Sequence, residues 1–358
     1  MKIAVAMSGG VDSSLASVLL QRQGHEIIGL TAKILLCSEM DNSGPRFDVC
    51  CSPENIADAQ ALAREYHFRH YLLDVEEVFS REIIDPFCRL YLSGKTPSPC
   101  LVCNARIKFR KLMDTAHSLG CEKLATGHYA RMGGGPPDPF YVSRGHDLDK
   151  DQSYFLAMLP QEILKDTLFP LGDFTKSEIR RMAANIGLRV ANKPESQEIC
   201  FVPDDDYPSY IERRTAQIPP PGDILDREGN ILGRHRGIHR YTIGQRRGLG
   251  IAAPHPLYVV EIDAEHNILV AGPREDLFRK GFLARNLNFM KAQRLQGREV
   301  WVKIRSAQKG VPARLEETDS GLQVFFESPQ TGVTPGQAAV FYDAGGDILA
   351  GGWIEKAI

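Results

Sequence analysis

Apolar positions in the first third of the chain switch repeatedly between two periods. Lys2–Met7 is a short apolar run and reads as a strand, and Ser13–Gln23 carries its apolar residues at helical spacing. Glu26–Lys33 reads as a strand. Pro53–Tyr66 reads as a helix, with Ser52 placed to cap it and Pro53 at its first position. His70–Asp74 predicts a strand, Val78–Leu92 and Asn104–Leu119 predict helices, and Lys123–Gly127 returns to strand. Such alternation predicts a mostly parallel sheet with helices on both faces and ligands at the carboxyl ends of its strands. Further on, Thr175-Lys-Ser-Glu178 is a capping box opening a helix over Lys176–Ile186, which Gly187 ends. Pro219-Pro-Pro-Gly222 marks a boundary. Beyond it, β-branched runs alternate with turn signals at Asp226–Gly229, Asp263–Asn267, Asp319–Gly321 and Asp343–Gly346. That pattern predicts one or two small β-barrels. Asp41–Val49 and Gly133–Pro139 read as mobile loops.

Composition narrows this picture. At 358 residues the chain is too long for one ordinary core, and 43% hydrophobic with 25% charged residues is typical of a soluble protein. A net charge of -2 means that any basic surface must come from local clustering. No apolar run has the length of a membrane span, and Met1-Lys2 leads straight into a strand rather than a signal peptide. The expected location is cytoplasmic, with no membrane partner. Eight cysteines are then expected to be reduced, catalytic or metal-binding.

Ser8-Gly-Gly-Val-Asp-Ser13 stands where the first strand ends and the first helix begins. Glycines let the backbone approach a ligand, the helix N-terminus attracts anions, and serine hydroxyls can donate. Gly-Lys-Ser/Thr is absent, so this is not the kinase-type P-loop. Asp12 suits a carboxylate that helps to position Mg²⁺ beside phosphates. A plain strand-to-helix turn is the bland alternative for two adjacent glycines.

Cys100-Leu-Val-Cys103 precedes a helical stretch, and Cys200 lies far downstream. Cys103 is expected near a helix N-terminus, where the dipole favours the thiolate. Cys-x-x-Cys alone fits a redox pair, half a zinc site or two ligands of an iron–sulfur cluster. Cys37, Cys88 and Cys121 read as small buried hydrophobes, and the Cys50-Cys51 pair suggests no chemistry. Basic residues gather at Arg106, Lys108, Arg110 and Lys111, and again at Arg234, Arg236, Arg240, Arg246 and Arg247 with His235 and His239. Two local clusters in a chain of neutral overall charge suit an RNA bound at defined points.

The hexad at Ser8–Ser13 resembles the pyrophosphatase loop (PP-loop) of enzymes that adenylate a substrate. Five more motifs stand with it: Thr96-Pro-Ser-Pro…Cys103-Asn104…Ile107-Lys108-Phe109, Ala125-Thr-Gly-His-Tyr-Ala130, Lys150-Asp-Gln-Ser-Tyr-Phe155, Ser196-Gln-Glu-Ile-Cys200-Phe201 and Gly244-Gln-Arg-Arg-Gly-Leu-Gly250. Six motifs in this order, spanning essentially the whole chain, resemble the bacterial tRNA-specific 2-thiouridylases. The resemblance implies an α/β PP-loop domain with a parallel sheet over 1–205, a central tRNA-contacting domain over 206–280 and a C-terminal β-barrel over 281–358. It implies ATP- and Mg²⁺-dependent 2-thiolation of the wobble uridine in tRNAs for Lys, Glu and Gln. ATP adenylates the base at C2, and sulfur then displaces AMP. Ala6, Met7, Ser8, Gly9, Gly10, Val11, Asp12 and Ser13 would hold ATP, with Ala32 and Gly127 beside the adenosine. Cys200 would carry sulfur as a persulfide, and Cys103 would release it through a transient disulfide. Ser98, Pro99 and Cys100 would touch the target base. His128, Lys150, Asp151, Gln152, Arg305, Ser306 and Gln337 would contact tRNA. A cysteine desulfurase or a sulfur-relay protein would supply the sulfur. The target base would leave the anticodon stack, at a cost of about a few kcal/mol.

One departure stands out. Well-known members carry Asp where this chain has Cys100. Cys100, Cys103 and Cys200 thereby become three thiols that could ligate a [4Fe–4S] cluster with one open iron, and the substitution tips the expectation towards that cluster over a persulfide relay. The rival readings are a PP-loop synthetase acting on a small metabolite and a non-catalytic RNA-binding protein. The first needs no basic clusters, and the second would tolerate loss of Asp12.

Overall fold

Ile3, Ala4 and Val5 are fully buried, which marks their strand as the centre of a sheet covered on both faces. The computed structural model describes residues 1–34, 52–194, 199–202 and 205–358. Strand β1 (Lys2–Ala6) pairs in parallel with β2 (Glu26–Lys33) on one side and β4 (Lys123–Thr126) on the other. With β3 (Arg69–Asp74) and the two-residue β7 (Thr167–Leu168), the order is β3-β2-β1-β4-β7. Helices α1 (Val11–Arg22) and α2 (Pro53–Glu65) pack on one face, where Leu15, Val18 and Leu62 meet Ile3 and Val5. Ser52 caps α2 by accepting from the Asn55 N–H, as its sequence predicts.

The other face is covered by a helical run over 99–118, here α4, which follows a first helical run over 76–92, here α3. Phe109, Leu112 and Met113 of α4 lie in one core with Ala4, Ile28 and Leu30. Helix α4 begins at Pro99, not at Asn104, and adopts π geometry over Asn104–Lys111. Proline at the first helical position was the available signal. The expected loop at Gly133–Pro139 is instead a hairpin of β5 (Ala130–Gly135) and β6 (Asp138–Arg144). Its Gly-Gly-Gly-Pro-Pro run masks the strand period. Gly134 has φ +80, and a Cβ there would lie 2.0 Å from the Pro139 carbonyl oxygen, so only glycine fits. The capping box forms as expected on α5 (Lys176–Ile186), which Gly187 closes in the left-handed conformation.

After helix α6 (Tyr207–Thr215), four strands form the central sheet: β8 (Gly222–Leu225), β9 (Ile231–His235), β10 (Tyr258–Asp263) and β11 (Ile268–Gly272). The last six strands close a barrel in the order β12-β15-β14-β13-β16-β17. They are β12 (Arg279–Phe289), β13 (Val300–Lys303), β14 (Val311–Thr318), β15 (Gly321–Gln330), β16 (Ala338–Tyr342) and β17 (Ile348–Ala357). Closure leaves no sheet edge exposed. The barrel is not a loose appendage, because its Ala338, Val340, Tyr342 and Ile348 share one core with Leu101, Phe109 and Tyr154 of the first domain. Tyr154 also donates its hydroxyl to the Ala338 carbonyl at 2.9 Å. Among the described residues, no helix is long and apolar enough to cross a membrane.

Candidate functional site

The chain adds β2 and β3 on one side of β1, then crosses to place β4 on the other side. The crevice between the carboxyl ends of β1 and β4 is therefore the topological switch point, where open α/β sheets bind ligands. The Ser8–Ser13 loop leaves β1 here, and Gly127 leaves β4. A Cβ on Gly127 would lie 2.7 Å from the Ser13 nitrogen and 2.8 Å from the Asp12 carbonyl carbon. Only glycine lets the two strand ends approach this closely.

The loop is tightly held. Ala6 ends β1, and Met7 donates its N–H to the Leu30 carbonyl at 2.8 Å while its own carbonyl accepts from Thr31 Oγ1. Gly9 has φ +68, and a Cβ there would lie 2.1 Å from the Asn55 carbonyl oxygen. Ser8 N–H donates to Ser13 Oγ at 3.2 Å. Val11 and Ser13 are buried. Gly10 is the N-cap of α1, and no side chain caps that helix. Its first-turn N–H groups therefore face the loop with helix-dipole potential behind them, a donor set that fits a polyphosphate. Lys193 Nζ braces the back of the loop through the Gly9 carbonyl (3.3 Å), Asn55 and Asp58.

Asp12 has two partners that its sequence neighbourhood does not show. Lys176 Nζ lies 2.8 Å from Oδ1 and 2.9 Å from Oδ2, and the Tyr129 hydroxyl donates to Oδ1 at 2.7 Å. Ala32, at the end of β2, packs against the core under the cysteines as well as the sheet core.

Cys103 is buried and Cys200 half-buried, and both belong to one apolar cluster with Phe79, Phe87, Ile107 and Phe201. Phe201 meets Phe79 and Phe87 edge-to-face with ring centroids 5.6 and 5.1 Å apart, which fixes the residue next to Cys200 against α3. Folding thus places two cysteines from distant segments in one apolar cluster that also includes Ala32 near the carboxyl end of β2. Cys103 is the fifth residue of α4. Cys100 occupies the first turn and is exposed. Among the described residues, no group of three or more His, Cys, Asp or Glu side chains converges on a metal position. Cys100 and Cys103, three residues apart on α4, differ in exposure, the first open to solvent and the second buried.

The residues expected at tRNA divide into two groups. Gln337 of the barrel donates to the Thr96 and Pro97 carbonyls at 3.0 and 2.9 Å and accepts from Ser98 Oγ at 3.0 Å, clamping the segment before Pro99 and Cys100. Arg305 donates to the Ile243 carbonyl and Thr334 Oγ1. With Thr96, Thr242 and Gln245 they line a cavity of about 310 Å³ where all three domains meet. Ser306 is half-buried beside it in sequence. The second group lies around β4. Gln152 accepts from the Tyr129 N–H at 3.0 Å, and Asp151 accepts from Gly145 and Ser153. Lys150 donates its N–H to the Asp147 carbonyl. His128 accepts or donates at Thr126 Oγ1 (2.7 Å) and stands between Phe109 and Phe169. Burial, assisted by the Lys108 ammonium, pushes its imidazole down to about 3, so it is neutral at physiological pH.

A family model described as "tRNA methyl transferase HUP domain" matches residues 1–204, and models described as "tRNA methyl transferase PRC-barrel domain" and "Aminomethyltransferase beta-barrel domain" match 209–273 and 279–354. The chain is 47% identical to the tRNA-specific 2-thiouridylase MnmA of Geobacter metallireducens, covering 100% of this chain and 97% of that protein. It is 46% identical to the protein of that name from Geotalea uraniireducens (100% and 96% covered) and 42% identical to that of Halothermothrix orenii (99% and 99%). The chain belongs to the tRNA-specific 2-thiouridylase family.

Within this 2-thiouridylase fold, the two basic clusters look different from their sequence. Arg106 pairs with Glu82 and Arg110 with Glu162, while Arg234 pairs with Asp223 and Arg240 with Glu212. Folding brings acids to both stretches, and the exposed cations left for a polyanion include Arg236, Arg246 and Arg247. Lys176, Tyr129 and Lys193 were not visible as site residues. Lys176 carried only the signal of a capping box, and nothing near Tyr129 or Lys193 points to Asp12 or Gly9. Cys88 and Cys121 are buried, as read. Cys37, Cys50, Cys51, Asp41–Val49 and Ser196 lie outside the described residues.

Proposed function

We propose that this chain 2-thiolates the wobble uridine of tRNAs for Lys, Glu and Gln, using ATP and releasing AMP and pyrophosphate. The observation that carries the reading is the meeting of Cys103 and Cys200 in one apolar cluster that also touches Ala32 at the edge of the nucleotide crevice. Uridine O2 attacks the α-phosphorus of ATP held by the Ala6–Ser13 loop. The Pα–O bond breaks, pyrophosphate leaves with the electron pair, and the N3 proton goes to water. Mg²⁺ accompanying ATP would neutralise phosphate charge near Asp12. The outer sulfur of a Cys200 persulfide then attacks C2 and AMP departs, since AMP leaves readily where the carbonyl oxygen would not. The Cys103 thiolate attacks the Cys200 sulfur, which leaves the outer sulfur on the base and joins Cys103 to Cys200 as a disulfide. A thiol reductant restores both thiols, and a cysteine desulfurase or relay protein recharges Cys200.

The persulfide relay is preferred to a three-cysteine cluster because Cys100 is exposed while Cys103 is buried. Cys100 instead lies next to Ser98 and Pro99, where it would touch the target base. Domains over 1–205, 206–280 and 281–358 divide the work: adenylation and sulfur transfer in the first, tRNA contact in the second, and the Gln337 clamp and Arg305 in the third. His128, Lys150, Asp151 and Gln152 would then form the tRNA-facing wall around β4. The enzyme would act in the cytoplasm, where charged tRNAs circulate. Methyl transfer, the chemistry in two of the family-model descriptions, would leave the phosphate-binding loop and the paired cysteines without a role.

The test is pyrophosphate release from ATP. Release is expected with unmodified tRNA and not with amino acids or other small carboxylates. Release driven by a small metabolite and indifferent to tRNA would point to the synthetase reading.

A further inference from the structure

We propose that Lys176 supplies the cationic contact to the triphosphate of ATP, with Asp12 and Tyr129 as its seat. The proposal deepens the reading of the Ser8–Ser13 loop as a nucleotide cradle and rests on it. Phosphate-binding loops with a Gly-Lys-Ser/Thr end carry their own lysine. This loop carries Asp12 at its helix start instead, and a bare carboxylate there repels a polyphosphate. Folding answers this from 164 residues away: Lys176 Nζ sits 2.8 and 2.9 Å from the two Asp12 oxygens. The Tyr129 hydroxyl holds Oδ1, which keeps the carboxylate turned to the lysine, and the Tyr129 ring lies 5.4 Å from Nζ.

The lysine is placed with unusual rigidity for its type. It is the first residue of α5, inside the Thr175–Glu178 capping box. Its backbone N–H donates to Asp147 Oδ2 at 2.9 Å. Its side chain is only 10% exposed, whereas lysine is almost never this buried without a purpose for its charge. Paired with Asp12, it brings the loop's side-chain charge to zero, so the partial positive charge of the α1 N-terminus is no longer cancelled. An ammonium is a compact charge that turns readily among oxygens. It can keep Asp12 on one side and meet a phosphate oxygen on the other. As the Pα–O bond breaks, charge builds on the departing pyrophosphate, and a fixed cation stabilises it.

A purely structural ion pair joining α1 to α5 makes a different prediction, read in the Asp12→Asn background where no bare carboxylate is left to repel a polyphosphate: there it predicts that Lys176→Met changes ATP and AMP binding alike, whereas the contact predicts a selective loss of ATP. The experiment is calorimetric binding of ATP and of AMP to the full chain, to Lys176→Met and Lys176→Arg, and to Asp12→Asn with and without Lys176→Met. In the wild type, ATP binds more tightly than AMP. Lys176→Met is expected to lose ATP affinity by on the order of 10- to 100-fold, as for a lost charge-assisted contact, with AMP affinity nearly unchanged. Lys176→Arg keeps most of the preference for ATP. Equal loss of both nucleotides, or loss of neither, in either background overturns the proposal. If Lys176→Met fails to fold, acylation of Lys176 in the wild type decides: protection by ATP and not by AMP supports the contact, and equal reactivity with either refutes it. If the wild type binds neither nucleotide, it is the cradle reading that fails.

Discussion

Cys103→Ser and Cys200→Ser each reduce 2-thiouridine formation by at least about 1000-fold, the scale expected when a nucleophile in a covalent sequence is removed. Both variants keep ATP binding, because the two cysteines belong to the apolar cluster around Phe79 and Phe201, whereas Met7 and Val11 of the loop belong to the core under α1. The double variant is no worse than either single one, since the two sulfurs act in one sequence of bond exchanges. Cys100→Ala behaves differently. Its thiol is exposed and takes no part in the exchange, so activity falls by about tenfold or less, the scale of a lost positioning contact. Nucleoside mass spectrometry of tRNA incubated with ATP, cysteine and a cysteine desulfurase as the sulfur source measures all four. A Cys100→Ala variant as dead as Cys103→Ser would return the three-cysteine cluster to favour.

Gly127→Ala has the second large effect, and it falls on ATP. The added methyl would lie 2.7 Å from the Ser13 nitrogen and 3.0 Å from Asp12 Cβ. Neither can give way alone, because Ser13 is tied to Ser8 and Gly10, and Asp12 to Lys176 and Tyr129. Helix α1 must shift away from β4, which opens the crevice. Overpacking of this kind costs about 1–3 kcal/mol of stability, and the displaced N–H groups lower ATP affinity by about tenfold or more. Denaturant titration and ATP binding read the two effects separately. Unchanged ATP affinity would mean that the loop and the end of β4 do not form one cradle.

Much of this fold was legible because local and global signals agree. The apolar run at Ile3–Val5, the Pro53 helix start and the Thr175–Glu178 box each specify an element unaided, and each formed as read. Legibility failed where a local signal was ambiguous or the partner was distant. Glycines and prolines at Gly133–Pro139 read as a loop although cross-strand pairing makes a hairpin. The helical pattern reads from Asn104, whereas α4 begins at Pro99 and already carries Cys103. The partners of Asp12 lie 164 and 117 residues away, and no periodicity encodes such a pair. Charge clusters misled for the same reason. Arg106 and Arg110 have no acid beside them in sequence, yet Glu82 and Glu162 reach them in space.

The account stands on the transfer of sulfur from Cys200 to the base, released by Cys103 at the edge of the nucleotide crevice. Mass spectrometry of non-reduced peptides after a single turnover, with sulfur-loaded protein, ATP and tRNA but no added reductant, tests it most directly. A peptide joining Cys103 to Cys200, formed only when ATP and tRNA are both present and in step with thiolated uridine, is the predicted result. Thiolated uridine without that linkage, or a linkage joining Cys100 to Cys103 instead, would contradict it.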